Sequence, residues 1–581
     1  MLTFRRLHSS AHDPCKISFW NGAATLLLAS AVLAAGNAPS QAQVLARPGL
    51  AGSGVTLEPW WKRAVFYRIQ PELFQDSDGD GHGDVAGIAL RLNYLQSLDI
   101  DAIILKPSAA SLEQDFNSFD GLARQASGAR IRVLVEIGAP AAPPHDTDAD
   151  YLAAARSWLT QGAAGLFVDT PALAKATGDE RATRLLHDLR SLTSSFPGER
   201  LLLAAAPGDE HTALFKPLAQ YTQLTAAPPL VALTGAKPMD AAPLRTQLET
   251  ALGVPSEPAA APPDSAETPR TTGATGMPHR RRTVAASTST TSTAKPALPS
   301  ANLNPLLSAA PIAASSTLEL EQRTTLEASL AAMLLGSRAA VILNAGEEIG
   351  LLPLATGTRG TTPVMQWTPS NLTPKPKPPE PAETESTDKP APTPAPPADP
   401  NVYGAFRPYV PPAPVKRKQP KPADDAAPPP VDPSTLAGFT AGELPAGLTE
   451  DAALAAKVNV TTEDADPNSL LNFYRKLIQY HHGNPTLHSG VEYVFNHDTL
   501  NAVTWMRRAQ AGTARSPAIL GVCNLSDKPL ALSISDDLRH LQIRPGSFRT
   551  LVTSSSRQIF PQAYDHISLP PYTVFLGEMY H

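Results

Sequence analysis

The run Ile131–Ile137 (IRVLVEI) decides the fold, together with the helical pattern over Asp150–Gln161 and the short strand Ala164–Val168 (AGLFV) that follow it. Two nearly continuous apolar strands separated by one amphipathic helix are the mark of a parallel sheet buried on both faces. The helix carries Leu152, Trp158 and Leu159. The same unit recurs on either side. Upstream stand Ala64–Ile69 (AVFYRI), a helical stretch Val85–Leu98 with Ile88, Leu92, Leu95 and Leu98 on one face, the strand Asp101–Leu105 (DAIIL), and a helix over Phe116–Ser127. Downstream come a helix over Arg181–Leu192, a strand Leu201–Ala205, a helix over Leu318–Leu335 and a strand Ala339–Leu343 (AAVIL). Consecutive βα units of this kind predict a doubly wound sheet or an eight-fold barrel. A further helix covers Ser469–Tyr480. From about Val491 the period changes to two, in the pieces Val491–Phe495, Ala502–Met506, Ala518–Cys523, Leu530–Ile534 and Thr573–Leu576, which predicts an antiparallel β-sandwich.

Composition separates packed from unpacked chain. The protein has 581 residues and 60 prolines, roughly twice ordinary proline usage. They concentrate in the region Thr373–Pro433, where 21 of 61 residues are proline; this predicts extended polyproline-like chain. A Ser/Thr/Pro-rich segment over 255–305, with a basic knot at His279–Arg282, reads as a second linker. The proline-rich segment also offers a docking motif for a protein partner. With 48 Lys+Arg against 54 Asp+Glu and a net charge of −6, the chain lacks the basic footprint of a nucleic-acid binder. Cys15 and Cys523 support neither a disulfide framework nor a cysteine zinc site.

Residues 1–42 read as a secretory signal. Arg5, Arg6 and Lys16 precede the apolar run Ala23–Ala35, and Ser40-Gln41-Ala42 supplies small residues for cleavage. The 13-residue run is short of the ~20 residues a spanning helix needs. The expectation is an exported protein, periplasmic or extracellular, with no membrane span after cleavage.

One loop carries metal-ligating character. In Asp76-Ser77-Asp78-Gly79-Asp80-Gly81-His82-Gly83-Asp84, carboxylates alternate with small residues. Calcium takes six to eight oxygens, and glycines let a loop close around it. Asp76, Asp78, Asp80 and Asp84 would give side chains and His82 its carbonyl. The loop starts like an EF-hand, but position 12 is Gly87 rather than Glu. A structural calcium ion is the expectation, with a solvated acidic turn as the alternative.

Further motifs keep a fixed order. Trp60-Trp61-Lys62-Arg63-Ala64-Val65-Phe66-Tyr67-Arg68-Ile69-Gln70-Pro71 and Phe74-Gln75-Asp76 open the series. Gly165-Leu166-Phe167-Val168-Asp169, Gly346-Glu347-Glu348-Ile349-Gly350 and Pro363-Val364-Met365-Gln366-Trp367 follow. Ala437-Gly438-Phe439 and Asp466-Pro467-Asn468-Ser469-Leu470-Leu471-Asn472-Phe473-Tyr474-Arg475-Lys476-Leu477 come last. In this order they resemble glycoside hydrolase family 13, the α-amylase superfamily, and within it the oligo-1,6-glucosidase, α-glucosidase and trehalose synthase branch. The resemblance implies an α/β fold, a (β/α)₈ TIM-type barrel, here truncated, with a C-terminal antiparallel β-sandwich and two disordered proline-rich insertions. The implied parts are a signal peptide (1–42), barrel segments over 57–254, 306–368 and 436–488, insertions over 255–305 and 369–435, and the sandwich over 489–581. It also implies a calcium site in the first βα loop and an α-glucan or oligosaccharide partner.

The catalytic set that the resemblance implies is incomplete. Asp169 stands at the nucleophile position. Phe167 stands where the family has arginine, and Ala205 where it has the acid/base glutamate. The strand-3 motif falls on Glu136, Pro140 and Ala141, and the excursion after that strand is missing. Asn496-His497-Asp498 spells a catalytic motif of the family but falls where the sandwich begins, and reads as a hairpin turn. A retaining glycosidase needs two carboxyl groups about 5–5.5 Å apart, so the expectation is a catalytically impaired relative. The alternatives are an active α-glucosidase or transglycosylase with a relocated acid, for which Glu136 and Glu210 are candidates, and an envelope scaffold protein.

Overall fold

The computed structural model describes residues 59–108, 111–138, 147–231, 241–254, 305–310, 319–351, 361–369, 436–442, 455–495, 499–509, 517–555 and 562–580, with a few shorter pieces between them. The expected signal peptide, nearly all of both insertions and Asn496-His497-Asp498 lie outside the described residues.

Eight parallel strands close into a barrel. They are β1 Val65–Ile69, β2 Ala102–Leu105, β3 Arg132–Ile137, β4 Gly165–Val168, β5 Leu201–Ala205, β6 Leu224–Ala226, β7 Pro305–Leu307 and β8 Ala340–Asn344, in the closed order β1-β8-β7-β6-β5-β4-β3-β2. Alternate residues point inward, as closure requires. Phe66, Ala102, Ile104, Leu134, Phe167, Leu201, Leu203, Leu224, Leu306, Ala340 and Ile342 fill the lumen as one buried cluster. Trp61 joins this cluster from the turn Trp60–Arg63 that precedes β1, and Trp60 packs on Phe66 with ring centroids 6.2 Å apart. The two tryptophans therefore floor the barrel at its N-terminal end.

The barrel is complete, and the truncation expected from the sequence falls in its connections. β6 and β7 were not foreseen: each has three residues, too few for a periodic signal. Pro305–Leu307, assigned in part to a linker, is the seventh barrel strand and pairs with both β6 and β8. A proline is tolerated there because it is the first residue of the strand. The expected helix over Val85–Leu98 is two short helices, Val85–Leu90 and Leu92–Ser97, that meet at Arg91, where ψ is 10°. His481 is buried at the end of helix Leu470–Gly483, its ring nitrogens 2.8 Å and 3.0 Å from the carbonyl oxygens of Leu335 and Arg63.

C-terminal to the barrel lies a six-stranded sheet whose long members, Val491–Phe495, Ala502–Arg508, Ile519–Asn524, Val574–Tyr580 and Ser547–Thr553, pair antiparallel in that order. A two-stranded sheet of Leu530–Leu532 and Ile567–Leu569 completes the cap. One face of the large sheet packs on the barrel helix Leu320–Leu335. Trp505 lies over Gly521, where an added Cβ would come within 2.2 Å of the indole, and its Nε1 donates to the Gly336 carbonyl at 3.4 Å. Val503, Trp505, Cys523 and Leu576 belong to the same buried cluster as the barrel's outer shell.

Gly165 opens β4 against β5. A Cβ there would stand 2.4 Å from the Leu201 carbonyl oxygen and 2.9 Å from its Cβ. Gly165→Ala should therefore destabilise the fold by about 1–3 kcal/mol, the usual cost of forced overpacking, read as a lower midpoint in urea unfolding. An unchanged midpoint would show that strands β4 and β5 separate freely.

Candidate active site at the barrel mouth

In a (β/α)₈ barrel the reactive groups come from the C-terminal ends of the strands. Four inward positions at that end matter here. Arg68 is on β1, Glu136 on β3 opposite Phe167 of β4 in register, and Asp169 and Ala205 follow at the ends of β4 and β5.

Arg68 and Glu136 meet across the lumen. Arg68 Nε donates to Glu136 Oε2 at 2.8 Å and Nη2 to Oε1 at 2.7 Å, a bidentate pair. The guanidinium also lies 5.7 Å from the centre of the Phe167 ring. The three side chains form one polar-aromatic plug over the apolar lumen. Phe167 takes the place where the resemblance implies an arginine, and the cation that contacts this region comes instead from β1.

Asp169, the expected nucleophile position, ends β4 and caps the next helix, Thr170–Thr177. Its Oδ1 accepts the Ala172 amide at 3.1 Å, the ordinary role of an N-cap carboxylate. Ala205, half-buried, closes β5 with a methyl group. The two candidate substitute acids are differently placed. Glu136 is committed to Arg68. Glu210 is exposed on the turn Asp209–Leu214, whose next residue, His211, places Nδ1 2.6 Å from the Asp179 carboxylate.

The motif Gly346–Gly350 supplies what the sequence reading did not assign. Glu348 is fully buried and takes hydrogen bonds from the hydroxyls of Tyr67, at 2.6 Å, and Tyr94, at 2.5 Å, and from the Gly346 amide at 3.1 Å. Burial raises its pKa, and the tyrosine hydroxyls only partly offset this. Glu347 is pushed up to about 8, chiefly by burial, although the Asn344 amide donates to it at 2.5 Å. Glu463, on helix Val460–Ala465, is also pushed up to about 8 by burial, while accepting the Leu471 amide at 3.0 Å. The doubled glutamate after an apolar strand was the available signal: acids directly after a barrel strand stand at the C-terminal mouth.

The acidic loop is partly assembled. Asp76, Asp78 and Asp84 each place a carboxylate oxygen within 4.8 Å of the others. The Asp80 carboxylate does not join them and accepts the His82 amide at 2.7 Å; the ring of His82, whose carbonyl is the expected ligand, places Nδ1 3.7 Å from Glu72. Burial works against ionisation of Asp76, but the Thr440 hydroxyl and the amides of Gly79, Gly81 and Asp78 outweigh it and hold its pKa below the usual value. The Asp80 amide favours the Asp78 carboxylate, yet burial and the charges of Asp80, Asp76 and Asp84 prevail and raise its pKa. Asp84 also caps the first helix, its Oδ1 accepting the Gly87 amide at 2.6 Å.

The chain joins a closed eight-strand barrel, an acidic first loop and an antiparallel cap. Known proteins resemble it. The family "Alpha amylase, catalytic domain" matches residues 68–121. Oligo-1,6-glucosidase of Halalkalibacterium halodurans is 49% identical over 61 residues, 10% of this chain and 11% of that protein. A probable alpha-glucosidase of Rhizobium meliloti is 36% identical over 101 residues, 14% and 18% of the two chains. The chain thus spans only about a tenth to a fifth of the length of these curated relatives in alignment. Trehalose-6-phosphate hydrolase of Bacillus licheniformis superposes with a TM-score of 0.58 at 12% identity, over 90% of this chain and all of that one. Trehalulose synthase MutB of Pseudomonas mesoacidophila does so with 0.55 at 15% identity and the same coverage. The likeness to α-amylase-family glucosidases is one of sequence in the first barrel segment and one of fold alone beyond it.

The raised pKa of Glu463 fixes a sign. Its folded-state pKa lies above the ordinary carboxyl value, so the folded state holds the proton longer than the unfolded state does. Its contribution to stability is full below about pH 4.3 and is lost as pH rises towards 8. Glu463→Gln keeps an acceptor for the Leu471 amide but cannot ionise. The variant should match the parent's melting temperature near pH 4.5 and exceed it by a few degrees at pH 8.5. A difference that does not grow with pH would show that Glu463 ionises freely in the fold.

Proposed function

We propose that this protein is an exported, α-amylase-family saccharide-binding protein with little or no glycosidase turnover. One observation carries the reading: β4 and β5 pair up to Val168 and Ala204, and the next residue on β5, following on as Asp169 does on β4, is Ala205 with its methyl group. Double displacement requires a carboxyl group to protonate the departing oxygen while a second attacks the sugar carbon. Asp169 alone supplies at most the attacking group. General acid–base assistance is typically worth 10²–10⁴-fold, and the two alternative carboxyls are an arginine-paired glutamate and an exposed one. α-Glucan or oligosaccharide remains the partner that the family resemblance favours, and the barrel mouth is the surface that would bind it. Export rests on the sequence of residues 1–42, and a protein partner for the proline-rich segment on its composition.

Calcium belongs to the same proposal. The crowding of Asp76, Asp78 and Asp84, visible in the raised pKa of Asp78, suits a hard cation with oxygen ligands. The ion would brace the loop between β1 and the first helix, and Asp76 already ties that loop to Thr440.

Two measurements test these readings. Purified protein given maltose, isomaltose, trehalose and an aryl α-glucoside should release no more glucose than its Asp169→Asn variant. Release from the parent that disappears in the variant would establish an active glycosidase and overturn the reading. Calcium should raise the melting temperature by several degrees, EDTA should reverse this, and Asp78→Asn should blunt the response. A melting curve indifferent to both additions would remove the ion.

A further inference from the structure

The barrel mouth contains a cavity that lies away from Asp169. It has a volume of about 220 Å³ and opens between the ends of β1, β2 and β8, where Arg68, Gln70, Lys106, Asn344 and Glu347 supply the polar lining. Leu351 and Met365 form part of an apolar wall. The volume falls below the roughly 300–1,000 Å³ of typical ligand pockets, which limits an occupant to about one sugar ring.

The charge balance of this cavity is positive. Lys106 is exposed at the end of β2. The bond to Glu136 engages Nε and Nη2 of Arg68 but not Nη1, and 29% of the Arg68 side chain stays exposed. Glu136 thus neutralises Arg68 without covering it. Glu347, the remaining acid of the lining, is pushed up to about 8 by burial and is mostly protonated at neutral pH. The Glu348 carboxyl beside it works in the same direction. Asn344 holds the Glu347 carboxyl through its amide nitrogen. Its carbonyl oxygen remains an acceptor, as does that of Gln70. The cavity therefore pairs cationic donors with neutral polar groups suited to hydroxyls.

We propose that this cavity binds a monosaccharide carrying one acidic group, a carboxylate or a phosphate, with Lys106 and Arg68 on the anion and Gln70, Asn344 and Glu347 on the hydroxyls. The inference rests on the saccharide reading of the barrel mouth and narrows it to an acidic sugar held at β1, β2 and β8. It involves no bond cleavage.

Titration calorimetry of the full chain at pH 7 against glucuronate, glucose 6-phosphate, glucose and maltose tests it. At least one of the two acids should bind more tightly than glucose, and the stronger one identifies the anion. Lys106→Gln should weaken that acid about fivefold, the upper range for one partly exposed charge contact, and Lys106→Glu should weaken it further. Leu351→Trp, which fills the cavity from its apolar wall, should abolish acid binding; melting curves of the three variants report folding. The proposal is overturned if neither acid binds more tightly than glucose, or if folded Lys106→Glu protein keeps the parent's affinity for the acid. Maltose binding without a preference for acids would leave the broader saccharide reading in place and remove this one. Acid binding without maltose binding would do the reverse.

Discussion

Everything in this molecule depends on filling the lumen of a barrel whose strands are only three to six residues long. Such short strands cannot hold one another by ladder hydrogen bonds alone; they close because each sends its inward side chains into a shared apolar interior. Phe66, Ile104, Leu134, Phe167, Leu203 and Ile342 do this, with Trp61 beneath them. The top of the lumen is where apolar filling stops, and there the Arg68–Glu136 pair spans from β1 to β3. The same constraint thus produces both the stability of the barrel and the character of its mouth. A bidentate ion pair backed by an aromatic ring occupies space that an open active site would leave to substrate.

How much of this was legible in the sequence varies by element. The strands IRVLVEI, AVFYRI and AAVIL announced themselves because short, almost wholly apolar runs need two buried faces. β6 and β7 did not, since Leu224–Ala226 and Pro305–Leu307 are three residues each and the latter begins with a proline beside a Ser/Thr/Pro-rich stretch. Their assignment depends on pairing with distant strands, which local pattern cannot reveal. The break at Arg91 was also hidden, because Ile88, Leu92 and Leu95 keep helical spacing across it. In the cap, the strand Ser547–Thr553 escaped notice because polar residues alternate weakly with its buried Phe548 and Val552.

The candidate site divides in the same way. Asp169 and Ala205 were readable because each directly follows or ends an apolar strand. The acidic loop was readable as a cluster, but only Asp76, Asp78 and Asp84 converge, while Asp80 turns to the His82 amide. The pairing of Arg68 with Glu136 was not readable, for these residues are 68 positions apart and meet only through barrel closure. Glu347 and Glu348 stood out as a doubled acid, yet nothing in the sequence said that one would bind two tyrosine hydroxyls while the other would line a cavity.

Trp505 has a consequence for the architecture as a whole. Its indole, seated over Gly521 and reaching the Gly336 carbonyl, belongs to the hydrophobic cluster that also encloses the outer barrel helices. Barrel and cap therefore share one interior rather than meeting across a wet seam. A chain cut between them would expose apolar surface on both halves, and neither would inherit a finished core. For this protein the C-terminal sheet is part of what makes the barrel a folded object, and the two are expected to melt together as a single cooperative body.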